Sequence, residues 1–210
     1  MRLMQVIKEE IMSVTNSHVQ QLFNVSIEAN IAAADALPEM ITEAGTRLAN
    51  SLLNNGKIFV CGNGGSSANA LHFSTALLNH FEVERPALPV MTLGTDMALT
   101  TSLLQDGHAE YVFSRPLQAL GQAGDILLLL STSNQTMNLV HAVDAAHERG
   151  MDVILLGASK RGVLANHLGP NDMEIAVPVD SPARIREIHL FVLHCFCDLI
   201  DQALFGQIME

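Results

Sequence analysis

Apolar residues recur at helical spacing early in the chain and then give way to short unbroken runs. Over residues 17–37, Leu22, Val25, Ala29, Ala32, Ala33 and Ala36 trace one helix face of mostly small residues, and Pro38 closes the pattern. A face that small permits close helix packing. Because it precedes the first strand and has little of its own subunit to cover, this helix is expected to join a helical bundle between subunits. Residues 1–16 are less periodic and read as an N-terminal extension, which leaves 17–210 as a single domain that includes the oligomerisation helix. A second helix is expected over 38–54, ending at the turn Asn54-Asn55-Gly56.

Beyond that turn the pattern alternates. Apolar runs of strand length stand at 57–61 (KIFVC), 88–93 (LPVMTL), 125–131 (DILLLLS), 152–157 (DVILLG) and 173–179 (MEIAVPV), each leaving through a polar turn into helical spacing. Near-continuous apolar strands separated by helices predict an α/β fold, a five-stranded parallel sheet covered by helices on both faces. Ligands in such folds bind beyond the carboxyl ends of the strands. A long final helix is expected over 182–205.

Composition narrows the function. The chain has 210 residues, 49% of them hydrophobic, enough for one substantial core. Its net charge is -11, with 22 acidic against 11 basic residues and no basic cluster, which argues against direct nucleic-acid binding. Strictly apolar runs such as 126–130 fall far short of the roughly 20 residues that cross a bilayer, so no membrane association and a cytoplasmic location are expected. Three cysteines, Cys61, Cys195 and Cys197, are too few and odd in number for a disulfide framework and are expected to be packed thiols. Cys195 and Cys197 lie about 200° apart on their helix and cannot readily share a metal.

Two strand ends carry candidate chemistry. After Cys61 comes Gly62-Asn63-Gly64-Gly65-Ser66-Ser67, whose glycines allow positive φ and whose following helix offers unpaired N–H groups to an anion. No Gly-Lys-Ser/Thr follows, so it is not a Walker loop, and Ser67 spoils a dinucleotide fingerprint. The second loop, Ser131-Thr132-Ser133-Asn134-Gln135-Thr136, puts four hydroxyls at a helix N-terminus, where they can cap the helix or donate to phosphate oxygens. Two such loops at the ends of two strands of one sheet point to a shared pocket. Its candidate sugar-phosphate ligands are Asn63, Gly64, Gly65, Ser66, Ser131, Thr132, Ser133 and Thr136.

KIFVCGNGGSSANALHF, ALPVMTLGTD, DILLLLSTSNQT and ARIREIHLFVLHCFCDLIDQALF together resemble, in matching order over 17–205, the SIS (sugar isomerase) domain proteins of the phosphoheptose isomerase group. The resemblance implies a single SIS domain with a flavodoxin-like sheet, a homotetramer with a helical core, and a sugar-phosphate pocket built by the two loops. In the second loop Asn134-Gln135 replaces the group's usual Gly-Asn. Asparagine tolerates left-handed backbone, so the turn is expected to survive.

The group supplies a His-x-x-x-Glu pair on the first pocket helix and a Gln and a His eight apart on the last, which hold zinc or do acid-base work. Carried over by position, these fall on His72, Ala76, Arg186 and His194. Alanine cannot take a proton or bind a metal, and arginine is a permanent cation. No catalytic residues and no metal are therefore expected, His72 and His194 being remnants or polar pocket residues. The leading expectation is a non-enzymatic homotetramer resembling the DnaA initiator-associating (DiaA) branch of the group, which binds the replication initiator DnaA and promotes its assembly at the chromosomal origin. Leu204 and Phe205 are then the expected partner-binding pair, as exposed apolar anchors. The alternatives are a zinc-dependent sedoheptulose 7-phosphate isomerase making a lipopolysaccharide heptose, and a sugar-phosphate sensor.

Overall fold

The computed structural model describes residues 2–160 and 162–206, with side chains described from residue 15 onward. Five strands, β1 (Ile58–Gly62), β2 (Val90–Thr92), β3 (Ile126–Leu130), β4 (Asp152–Ala158) and β5 (Met173–Val177), pair in parallel in the order β2-β1-β3-β4-β5. That order is flavodoxin-like, and the expected α/β sheet is present. Every residue of β1 and β3 is buried, which explains why their sequences read as unbroken apolar runs instead of alternating ones.

The two faces bury separate cores. Ile58 and Val60 of β1 face a layer that includes α2 (Pro38–Leu53), α3 (Gly65–Leu78) and α8 (Pro182–Phe205). Phe59 and Cys61 face the opposite layer, where α5 (Ser114–Leu120), α6 (Met137–Glu148) and α7 (Val163–His167) pack. The remaining helices are α1 (Arg2–Ala36), which runs unbroken through residue 16 to Ala36, and α4 (Met97–Gln105), which Asp96 caps by accepting the Leu99 N–H at 3.0 Å. Although α8 is long and apolar enough to cross a bilayer, Ile185, Ile188, Val192, Leu193, Phe196 and Ile200 bury one side of it against the sheet. It is a core helix.

Two polar clusters fix the ends of this frame. At the N-terminal edge of the sheet, Asp125 is buried and accepts from the backbone N–H groups of Lys57 and Gln122, each at 2.9 Å, and from Lys57 Nζ at 2.7 Å. The start of β1 is thereby tied to the start of β3. Beyond the far end of α3, Arg85 donates from its guanidinium to the Leu77 and Ala76 carbonyls at 2.7 and 2.9 Å, and its Nε lies 2.7 Å from Asp201 on α8. The arginine therefore caps α3, satisfying carbonyls that the helix leaves open, while the aspartate neutralises it.

The exposure of these pairs decides what their removal costs. Arg85 and Asp201 are only 2% and 7% exposed, so Asp201→Ala strands a buried cation, and chemical denaturation is expected to show a loss of about 3–5 kcal/mol. The exposed Arg47–Glu43 pair on α2 is the control, and Glu43→Ala is expected to cost no more than about 1 kcal/mol.

Candidate functional site

In the order β2-β1-β3, the chain leaves β1 and β3 in opposite directions along the sheet, so a crevice opens between their carboxyl ends. Both predicted loops end there. Asn63 and Ser66 from the first and Ser131, Thr132, Ser133 and Thr136 from the second line one small cleft. The sequence reading did not single out Asn138. Its side-chain amide and that of Asn63 exchange two hydrogen bonds of 2.9 Å, which clamp the first turn of α6 to the loop after β1. The only sequence signal for it was a polar residue two positions past Thr136.

The loops hold their shape for local reasons. Gly64 precedes α3 with φ +57°, a conformation that a Cβ would strain. In the second loop the buried Ser131 hydroxyl accepts from the Asn134 N–H at 2.9 Å, which commits it to the turn. Asn134 sits at φ +55° and its amide donates to the Ala158 and Lys160 carbonyls at 3.1 and 3.3 Å. The replacement of the usual glycine therefore preserves the turn and pins it to the end of β4. Thr136 is the N-cap residue of α6, but its side chain makes no capping hydrogen bond, so its hydroxyl stays available to a ligand in the cleft.

Farther along α3 and α8, the two predicted histidines meet. His72 Nε2 and His194 Nε2 are 2.9 Å apart, so one ring donates a proton to the lone pair of the other. His72 is exposed and His194 half-buried, with the Phe81 ring tilted against it at a centroid distance of 5.3 Å. Burial lowers the His194 pKa below the ordinary histidine value, and the neighbouring His72 lowers it further, while Glu82 pulls the other way. His194 is thus held as a neutral base near neutral pH. A wider groove beside it runs between α1, α2 and α8, lined by Asn30, Phe81, Glu82, Phe191 and Cys195.

The other two positions differ in kind. Ala76 is 6% exposed, packed in the core with its carbonyl held by Arg85. Arg186 reaches over the first turn of α3, its Cδ standing 2.7 Å from where a Cβ on Gly65 would be. The zinc that the resemblance implies does not fit these residues. Two imidazoles that bond each other, an alanine and a cation do not make a tetrahedral site, and among the described residues no three His, Cys, Asp or Glu side chains converge. Cys61 and Cys197 are buried and Cys195 is half-buried; desolvation pushes the Cys197 thiol up to about 12, far from reactive thiolate.

The SIS domain family model matches residues 23–158. A phosphoheptose isomerase of Alkalilimnicola ehrlichii is 50% identical over 191 residues, 91% of this chain and 97% of that protein. A solved phosphoheptose isomerase from Francisella tularensis superposes with TM-score 0.86 at 41% identity, covering 90% of this chain and 98% of that one. The corresponding structure from Neisseria gonorrhoeae gives TM-score 0.84 at 38% identity, with 90% and 99% covered.

These relatives correct two expectations. Near-full-length similarity to proteins named as isomerases overturns the non-enzymatic DnaA-binding role, and with it the inference from Ala76 and Arg186 that the chain is not an enzyme. That inference weighed the two lost positions and set His72 and His194 aside as remnants, whereas the fold brings these two imidazoles into hydrogen-bonding contact. Of the predicted pair at the end of α8, Leu204 is half-buried against the core and Phe205 is 40% exposed.

Beneath the site, His189 is fully buried, with Nε2 3.3 Å from the Gly157 carbonyl and Nδ1 unpartnered among the described residues. Burial lowers its pKa to about 4, the Arg186 charge adds to this, and the Gly157 hydrogen bond opposes it. The folded state thus resists a proton that the unfolded chain accepts below about pH 6.5. This contribution is complete above about 6.5 and lost as pH falls to about 4, a change on the order of 3 kcal/mol. Denaturation of wild type and His189→Gln at pH 7 and pH 4 is expected to show a smaller loss in the variant.

Proposed function

The chain belongs to the SIS domain family, and from that membership we propose that it is a cytoplasmic sugar-phosphate isomerase of the phosphoheptose kind, interconverting sedoheptulose 7-phosphate and the corresponding aldose phosphate. The observation that carries the reading is the placement of a proton-transfer pair, His72 and His194, on the two helices that also border the anion-binding loops. Along α3, Gly65 and His72 are seven residues apart, about 10 Å of helix axis. A substrate with its phosphate at one end and its reacting carbons at the other spans that separation.

The chemistry follows from the pair. Neutral His194 takes a proton from C1 of the ketose, giving an enediolate with its charge on O2. His72 lies on the opposite side of the shared hydrogen bond and supplies the proton that O2 requires. The O1 proton then passes to His72, replacing the one it gave to O2, as the C1 carbonyl forms, and C2 receives the proton held by the His194 imidazolium, so both histidines return to their starting state and the atoms balance without any external reagent. The Ser/Thr hydroxyls of the second loop and the N-terminal N–H groups of α3 hold the phosphate while this occurs. No step calls for zinc.

A homotetramer belongs to the same proposal. On α1, Val19, Leu22, Phe23, Val25, Ile27 and Ile31 are exposed, as is Phe191 on α8 beside the His194 groove. Such an apolar surface is covered in a stable assembly.

Purified protein is expected to convert sedoheptulose 7-phosphate, and His72→Asn or His194→Asn to lower kcat by about 10²- to 10⁴-fold with the fold intact. Since His194 must be unprotonated and its pKa is lowered, the acid limb of kcat/KM is expected below about pH 6.5. A midpoint above pH 7, or variants with wild-type turnover, would remove the pair from the mechanism.

A further inference from the structure

The cleft's loops offer hydroxyls and backbone N–H groups, yet one full charge stands beside them without a counter-ion among the described residues. Arg186 is half-buried, and its Nε and Cζ lie 3.1 and 3.6 Å from the position a Gly65 Cβ would take, so the guanidinium rests against the first turn of α3. A Cβ at residue 65 would displace it from this position. Its backbone is fixed as well, because the Arg186 carbonyl accepts from Asn69 of α3 at 2.9 Å.

The adjacent acidic residue is committed elsewhere. Glu187, the next residue, is paired with Arg184 at 2.7 Å and accepts from Ser26 at 2.8 Å. Among the described residues the Arg186 guanidinium has no ion pair or hydrogen bond. A partly desolvated cation beside the positive end of α3 is unfavourable in the empty protein, since both fields have the same sign. An anion placed between them relieves both. On the other side, Ile185 lines a recess shared with Thr132 and Ser133, so the start of α8 adjoins the second loop too.

We propose that Arg186 is a substrate-binding residue of this site, a charged clamp that grips the phosphate of a phosphate monoester dianion between α8 and the two loops. This rests on the sugar-phosphate reading of the cleft and adds the charge selectivity that hydroxyls alone do not supply. The planar fork of arginine matches two phosphate oxygens at once, which lysine does not reproduce. At the position where the resemblance implies a neutral glutamine, this chain places a permanent cation, which suits anion capture and not metal ligation.

The test is direct binding, read separately from turnover. Inorganic phosphate and sedoheptulose 7-phosphate are titrated into wild type, Arg186→Gln and Arg186→Lys by calorimetry, with thermal melting as the check on folding. The proposal expects Arg186→Gln to raise Kd about 10- to 100-fold for both probes and to flatten the dependence on salt. Arg186→Lys is expected to recover part of the affinity. Equal Kd values for wild type and Arg186→Gln, or no phosphate binding by wild type at millimolar concentration, would overturn it. Arg186-dependent phosphate binding in a protein that never turns over the sugar would sink the isomerase reading and leave the clamp standing. Turnover with a KM indifferent to Arg186→Gln would do the reverse.

Discussion

The geometry of the site depends on the buried contact between Arg85 and Asp201. One guanidinium closes the carboxyl end of α3 and, through the aspartate, binds it to α8. The helices so joined carry His72 and His194, whose 2.9 Å contact requires the two axes to keep their spacing and register. At their other ends, Asn69 bonds the Arg186 carbonyl and Gly65 admits its side chain. A charge pair this deep is a poor source of net stability, but breaking half of it is costly, which holds the helix pair in place where the proposed proton transfer needs it to be.

The site divides into a cleft of hydroxyls and backbone N–H groups and a pair of hydrogen-bonded imidazoles, and the fold explains both. Parallel strands deliver two loops to one crevice because β1 and β3 are neighbours from which the chain departs in opposite directions. Asn63 and Asn138 then latch the loops together, while Asn134 pins the second to β4. The helices extend the site from there. Ala76, where the resemblance implies a carboxylate, is packed in the core and its carbonyl accepts from Arg85.

Much of this was legible in the sequence. Unbroken apolar runs mark buried parallel strands unambiguously once helices separate them, and the glycines and hydroxyls at two strand ends located the cleft. The meeting of His72 and His194 was invisible in residue spacing because they lie 122 residues apart and only the α3–α8 packing joins them. For the same reason Asn138 and Arg85 drew no notice: their importance comes from partners distant in the chain. The non-enzymatic reading failed on a different point, since position-by-position loss counts absent groups and is blind to what the remaining ones can do together.

The most direct measurement is proton exchange during turnover. If His194 and His72 shuttle protons through an enediolate, sedoheptulose 7-phosphate incubated with the purified protein in D2O will acquire deuterium at C1, and the aldose phosphate will form with deuterium at C2, both visible by proton NMR. Substrate that keeps its C1 protons and yields no aldose over many hours with excess protein would contradict the account.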